Sequence, residues 1–395
     1  MSRSIVVAFF AAALCMLPET SIAQDATVPA SQSDRDAALR TEAAELLSQN
    51  DPAQQIRLIM IDLELSTDTS AESQKVCREI LKSLALSGSE TALAHVRSVF
   101  ENDPERRAMA AWALSQSTAI HPTDLQDWRF MVRSLDVVSG EDAVSVMKAL
   151  QRFRPRANKA HWVRRVILAG VRLPEAEQQI AASLLKHWTG TPRGKASWTL
   201  TQYQDWFRKE YPESPDPSWP ADQNGAVWTH DRLAAAVHSF HSSPELTKSG
   251  AGVFEKAGCA KCHKRGATGS TAGPDLTTLG WRKQKEEILM DLLYPSHDLH
   301  EEYPTVSVAL KDGRVLSGLL QPGTEGTLAV VNSKGERQEF PRTDVESTTP
   351  QRVSNMPAGT LDALSEAEIQ QLFAFLTSVD GIPRPHAEPA GDTEE

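Results

Sequence analysis

From about residue 36 to 190, apolar residues recur at spacings of three and four, as in "ALRTEAAELLSQ", "QQIRLIMIDLEL" and "KVCREILKSLAL". That rhythm predicts a run of amphipathic helices. The breaks carry Asn-Asp-Pro, Ser-Gly-Ser and Asn-Asp-Pro again. Asp51-Pro52 and Asp103-Pro104 each place an N-cap before a proline at the first helical position. The pattern changes over 188–228. Trp188, Trp198, Trp206, Trp219 and Trp228 gather there with prolines 192, 212, 215, 217 and 220, which predicts one short helix and then an extended connector. These tryptophans are expected to pin the connector against the helical domain; binding a sugar is the other use for such a cluster. Beyond residue 244 two helical stretches, "SPELTKSGAGVFEKAG" and "LSEAEIQQLFAFLTSVD", bracket a segment of alternating character. There "TVSVAL", "RVLSGLL", "TLAVVNS" and "RQEF" predict four or five short strands, turned at Lys311-Asp312-Gly313 and Lys334-Gly335. Ser365 and Glu368 form a capping box ahead of the stripe Leu372, Phe373, Phe375 and Leu376.

The chain has 395 residues, enough for two or three domains without disulfide staples. A formal net charge of -11 disfavours nucleic acid as the main partner. The opening "MSRSIVVAFFAAALCMLPETSIAQ" reads as a secretory signal peptide over 1–23. Arg3 is the basic region, Ile5 to Leu17 is an apolar stretch short for a bilayer, and Ser21-Ile22-Ala23 is the cleavage signal. An uncleaved anchor is the alternative. With cleavage the chain is expected to be periplasmic or otherwise exported, with no transmembrane span. Cys15 is discarded with the signal, leaving Cys77, Cys259 and Cys262. Cys77 lies in a helical pattern and reads as a buried apolar residue.

"AGCAKCH" at 257–263 therefore has to be explained as a pair of cysteines with a histidine beside the second. Zinc needs four ligands, and His297 and His300 could complete a Cys₂His₂ set. A redox dithiol is expected to open a helix after a strand, whereas a helical pattern here runs into the motif. C-x-x-C-H is the attachment signature of a c-type haem. Two thiols on one turn can reach the two vinyl groups of one porphyrin, and the next residue's imidazole then lies beneath the iron. That attachment takes place outside the cytoplasm, in keeping with a signal peptide. Cys259 and Cys262 are thus the expected thioether sites of one haem c, and His263 its axial ligand. A second axial ligand is sought downstream. Met356 sits in a polar loop, "VSNMPAG", whereas Met290 sits at a core-facing helical spacing. Met356 is the first candidate; His297, His300 and an open position remain.

Two resemblances follow from these residues. "SGSETALAHVRSVFENDPERRAMAAWALSQS" resembles a HEAT-like helix pair, in which Ala108, Ala111 and Ala113 permit close packing, and "GEDAVSVMKALQRFRPRANKAHWVRRVILAG" is a weaker copy. An irregular bundle is the alternative. Residues 244–380 resemble the cytochrome c-type haem-binding domain of the planctomycete and verrucomicrobial kind, through "GCAKCH", "AGPDLTTLG", "DLLYPS", "YPTVSVALKDGRVLSG" and "NMPAG…LSEAEIQQLFAFL". The resemblance implies that the Pro274 carbonyl accepts the ring proton of His263, an orienting bond. It implies Met356 as distal ligand, and Trp281 and Arg282 as haem-edge or propionate contacts. Trp281 stands where an arginine is commoner, which unsettles the propionate role. The expected fold is mainly α, a HEAT-like helical repeat domain followed by a cytochrome c-type helical domain with a small β insertion. Its parts are a signal peptide (1–23), a flexible leader (24–35), the repeats (36–190), a Trp/Pro-rich connector (191–243), the haem domain (244–380, with the β insertion at 303–350) and a disordered tail (381–395).

The function expected from this is electron transfer by an exported c-type cytochrome. A redox partner protein, a dehydrogenase or another cytochrome, would supply electrons, and the repeats would serve as docking scaffold. Lys256, Lys261, Lys264 and Arg265 could form a basic docking ring, or simply be solvated. Two other classes stand against it: a peroxidase or oxygenase with an open distal site, and a helical-repeat binding protein whose haem senses or stabilises. No G-x-S-x-G, P-loop or G-x-G-x-x-G follows a strand, so no catalytic residues are assigned.

Overall fold

The computed structural model describes residues 31–49, 51–157, 159–222, 225–239, 242–299, 302–379 and 381–382. The signal peptide, Cys15, most of the expected leader and tail, and His300 lie outside the described residues. The first unit is built by α1 (Gln32–Gln49), α2 (Gln55–Leu65), α3 (Ala71–Ser87), α4 (Glu90–Asn102), α5 (Arg107–Gln116), α6 (Leu125–Ser134), α7 (Gly140–Leu150), α8 (Ala160–Val171), α9 (Gln178–Thr189) and α10 (Leu200–Glu210). α1, α3, α5, α7 and α9 pack one on the next, and each even-numbered helix packs against one or two of them. Ala111 and Ala113 are fully buried in this stack, and Ala108 partly so.

Local chemistry sets the helix starts. The Asp51 carboxylate accepts from the Ala53 N–H at 2.9 Å, and that of Asp103 from the Arg106 N–H at 3.3 Å. Each opens a proline-led 3₁₀ turn that runs into α2 or α5. α1 begins at Gln32, so residues 32–35 are its first turn and not a loose leader. The reason is a reciprocal cap: the Ser31 hydroxyl accepts from the Asp34 N–H at 3.2 Å while the Asp34 carboxylate accepts from the Ser31 N–H at 3.2 Å. Deeper in, the fully buried Asp62 receives Arg106 at 2.5 Å and His95 at 2.8 Å. Burial acts to raise its pKa, but the bonds from His95 and Arg106 prevail and hold it low.

The connector expected over 191–243 is divided between two cores. α10, with Tyr203 and Phe207 fully buried, belongs to the helical unit, as do Trp188, Trp198 and Trp206. Trp228 and α11 (His230–Ser239) belong to the second unit. The Trp228 indole N–H donates to the Leu364 carbonyl at 3.2 Å, and His230 pairs with Glu286 at 2.5 Å. The second core therefore starts before residue 244. Long-range partners decide this, and proline spacing carries no record of them.

The second unit continues with α12 (Pro244–Lys256), the two-residue strands β1 (Lys264–Arg265) and β2 (Thr268–Gly269), α13 (Leu279–Arg282), α14 (Lys285–Leu293) and, at its end, α15 (Glu366–Thr377). α12 crosses α15 closely. A side chain at Gly250 would collide with the Gln371 carbonyl and stand 2.6 Å from Phe375 Cβ, and Phe254 meets Phe375 at 5.5 Å between ring centroids. Ser365 and Glu368 make both bonds of the capping box that starts α15. Between α14 and α15 lie β3 (Thr305–Leu310), β4 (Val315–Pro322), β5 (Thr327–Val331), β6 (Arg337–Pro341) and β7 (Val345–Pro350). They form one antiparallel sheet in the order β6-β5-β4-β3-β7. Val306, Val308, Leu310, Val330 and Phe340 make its own small core.

Two buried arginines of the helical unit reach across to the second. Arg107 donates to the carbonyls of Phe100 (3.2 Å) and Arg282 (3.1 Å) and lies 3.8 Å from Glu287. Arg164 donates to the carbonyls of Asp216 (3.0 Å) and His297 (2.7 Å). No described helix is long and apolar enough to cross a membrane.

The α12–α15 crossing yields a direct expectation. Gly250→Val should lower the unfolding free energy by about 3 kcal/mol, the upper end for an overpacked core, because backbone must move. Urea unfolding followed by circular dichroism measures it, and a change within experimental error would show that the crossing tolerates separation.

Candidate haem-attachment site

Two residues past the end of α12, Gly258 at φ 80° turns the chain into a 3₁₀ turn over Cys259–Lys261. The turn is closed by the Cys262 and His263 N–H groups, which donate to the Cys259 carbonyl at 3.2 and 2.9 Å. Both cysteines are free thiols and partly exposed. The chain then forms the β1–β2 hairpin and doubles back. The Ser270 N–H donates to His263 O at 3.2 Å and the Gly273 N–H to Cys262 O at 2.7 Å. Gly269 has φ 97°, and a side chain on it would collide with the His263 carbonyl, so the return needs glycine there.

This return places the Pro274 carbonyl 2.9 Å from His263 Nδ1. A carbonyl can only accept, so Nδ1 carries the proton and Nε2 keeps a lone pair. Burial pushes the His263 pKa down, and the bond to Pro274 opposes it. Burial pushes the Cys259 thiol up to about 11 and raises Cys262 too, where Lys261 opposes it. Cys259, Ala257, Ala260, Leu276, Leu293 and Met356 all pack on the second core while remaining partly exposed. Two thiols, an imidazole with a free lone pair and an incompletely covered apolar rim suit a flat, apolar iron cofactor. The residue types present are compatible with haem, which Cys259, Cys262 and His263 would hold.

Residues 247–302 match the Cytochrome c family. The chain carries a cytochrome c-like haem-binding domain. The match covers the attachment turn, the β1–β2 hairpin, α13 and α14, and stops short of the sheet and Met356. Comparison with curated proteins finds no match.

Around this cytochrome c core the remaining candidates separate. Met356 is partly buried against the second core. Its loop is tied at three points: Met356 N–H to Ser354 Oγ (3.2 Å), Ser354 N–H to Ser296 Oγ (3.0 Å), and Asn355 Nδ2 to the Val331 carbonyl of β5 (3.2 Å). Met290 is buried on α14, as its spacing predicts. His297 is drawn to the helical unit, with its ring nitrogen 3.3 Å from the Arg164 guanidinium and its ring 6.2 Å from Trp219. Burial, then Arg164, pushes its pKa down to about 4. Among the described residues no group of three or more His, Cys, Asp or Glu could hold a metal ion, so the zinc alternative finds no ligand set there. Trp281 gives its indole N–H to the Ile382 carbonyl at 3.3 Å, and Arg282 donates to the Asp275 carbonyl at 3.0 Å. Both residues lie on α13, which packs between α15 and Arg107 of the helical unit.

Of the four residues weighed as a basic ring, only Arg265 is turned inward; Lys256, Lys261 and Lys264 keep exposed or half-exposed side chains. Arg265 is 7% exposed, Lys256 pairs with Glu368 at 2.5 Å, and Lys264 lies 3.8 Å from Asp275. Sequence reasoning also missed the sheet's grip on the site. Gln321 of β4 donates to the Ala272 carbonyl at 3.0 Å, and a side chain at Gly335 would stand 2.8 Å from Lys261 Cβ. The polar residues Asn355 and Gln321 were visible, but nothing local says which carbonyl they reach.

In the chain without haem, the raised thiol pKa values set an order of reactivity. Each thiol stays neutral until the pH nears its raised value, so alkylation should be slow at pH 7.5. It should accelerate for Cys259 up to about pH 11, with the fully buried Cys77, pushed up to about 12, slower still. Mass spectrometry of iodoacetamide adducts against pH checks this; fast modification of Cys259 at neutral pH would contradict its burial.

Proposed function

We propose that the chain is an exported c-type cytochrome that carries electrons. Haem c is held through Cys259 and Cys262, with His263 as proximal ligand and Met356 as distal ligand. The observation that carries this is the bond from His263 Nδ1 to Pro274 O within a C-x-x-C-H turn, in a segment matching Cytochrome c. A haem bound there supplies a one-electron couple. The protein's part is to fix the imidazole tautomer through Pro274, to hold the methionine loop through Ser296 and Val331, and to keep water from the apolar rim. Methionine ligation suits an acceptor of electrons, since it raises the potential relative to two histidines. The donor is proposed to be a separate dehydrogenase or another cytochrome. The first unit is read as HEAT-like repeats acting as docking scaffold, and Arg107 and Arg164 support that reading because they join it to the second unit. Arg282 has guanidinium donors beyond the one given to Asp275, so a propionate contact stays within its chemistry. Trp281 has no second N–H to offer and would act through its ring alone. Residues 1–23 are read as the signal peptide.

Expression in a host with cytochrome-maturation machinery tests the reading. The pigment should survive denaturation and acid extraction, and should be lost in Cys259→Ala/Cys262→Ala. Met356→Ala should convert a low-spin six-coordinate spectrum to one that binds imidazole or cyanide at least tenfold faster. A pigment that washes out would end the covalent proposal, and an unchanged Met356→Ala spectrum would end the distal assignment. Rapid peroxide turnover by the native protein would favour an enzyme over a carrier.

A further inference from the structure

Arg265 stands two residues beyond His263, on β1, with 7% of its surface exposed. Its Nη2 donates to the Ser378 carbonyl at 2.7 Å, at the C-terminal cap of α15, and its guanidinium lies 4.2 Å from the centroid of the Phe375 ring. Its Nε is buried and has no hydrogen-bond partner. Among the described residues no carboxylate comes within ion-pair distance of it. The nearest compensation is a helix-end carbonyl and an aromatic face, which are a dipole and a quadrupole. Their fields fall faster with distance than that of the full positive charge they solvate, so beyond the contact the guanidinium still acts as a cation. A guanidinium keeps its charge at any ordinary pH.

A buried cation without a counter-charge is expensive, and a packing role alone would be met by an apolar side chain. What a fixed positive charge two residues from His263 could do is bias the oxidation state of an iron held there. Ferric iron carries one more positive charge than ferrous iron. A neighbouring cation in a poorly screened interior therefore disfavours the ferric form. We infer that Arg265 is a potential-setting residue, its buried guanidinium raising the reduction potential of the haem attached at Cys259–His263. The inference rests on the haem reading above and adds a role for a residue that touches neither iron nor attachment point. Arg265 acts by position and charge only: no bond is made or broken, and the electron comes from the redox partner. In a medium of effective dielectric about 20, a unit charge about 10 Å from a redox centre shifts a one-electron equilibrium roughly tenfold. That is about 59 mV.

Spectroelectrochemical titration of the holoprotein tests this with Arg265→Met, Arg265→Gln and Arg265→Lys. Arg265→Met and Arg265→Gln, which remove the charge but differ in polarity, should each lower the midpoint so that the ferrous-to-ferric ratio at fixed poise falls about tenfold. Arg265→Lys should stay within about twofold of the native ratio. Because the charge is buried, the difference between native protein and Arg265→Met should persist at high salt. If thermal stability falls in Arg265→Met and Arg265→Gln while the midpoint stays put, the residue is structural and the inference is overturned. It is equally overturned if Arg265→Lys shifts the midpoint as far as Arg265→Met. Should Arg265→Met fail to fold, Arg265→Gln and Arg265→Lys still give the comparison. Native protein without covalent pigment would overturn the haem reading and this inference together, whereas pigmented variants with unchanged potential overturn this inference alone.

Discussion

The close crossing of α12 and α15 governs the second unit. Gly250 lets the Gln371 backbone approach, and Phe254 and Phe375 fill the space beside it. α12 then delivers the chain to Gly258 and the Cys259–Lys261 turn, so the orientation of α12 aims the attachment site. α15 receives the other parts: Gly280 of α13 lies against the Thr377 carbonyl, and Arg265 reaches Ser378. The apolar area buried here, at about 25 cal/mol per Å², outweighs the individual polar contacts. Those contacts do something different. They fix one ring tautomer, one loop and one charge.

The helical stack is not an independent neighbour. Arg107 and Arg164 each spend buried donors on carbonyls of the second unit, at Arg282 and His297. Burial lowers the Arg164 pKa and raises that of Glu287, the signs expected of charges held away from water. Such groups hold two surfaces in one registry, because sliding would strand a carbonyl or a charge. His297 shows the consequence. It lies outside α14 in sequence terms simple enough to be a ligand candidate, yet the partner unit claims both its ring and its carbonyl.

Features written in consecutive residues were legible. The proline-led caps at Asp51 and Asp103, the capping box at Ser365 and Glu368, and the strand pairs β3–β4 and β4–β5 need only a short window of residues. The turn carrying Cys259, Cys262 and His263 is of the same kind. What escaped was long-range. Trp228 is 136 residues from its Leu364 partner, and Arg265 is 113 from Ser378. A composition of lysines and arginine around the motif reads as a charged surface, and only the packing of α15 shows that one of the four points inward. The two cores likewise split a connector whose prolines and tryptophans look alike along its length.

The pairing of Gly250 with Gln371 spans 121 residues of chain (371 − 250), so it is a contact of high separation. Closing so long a loop is slow, although lengthening it further would cost little more. A polypeptide emerging amino-end first presents α12 with no crossing partner until α15 follows. Until α15 is made, the turn at Cys259 lacks part of the core on which it packs.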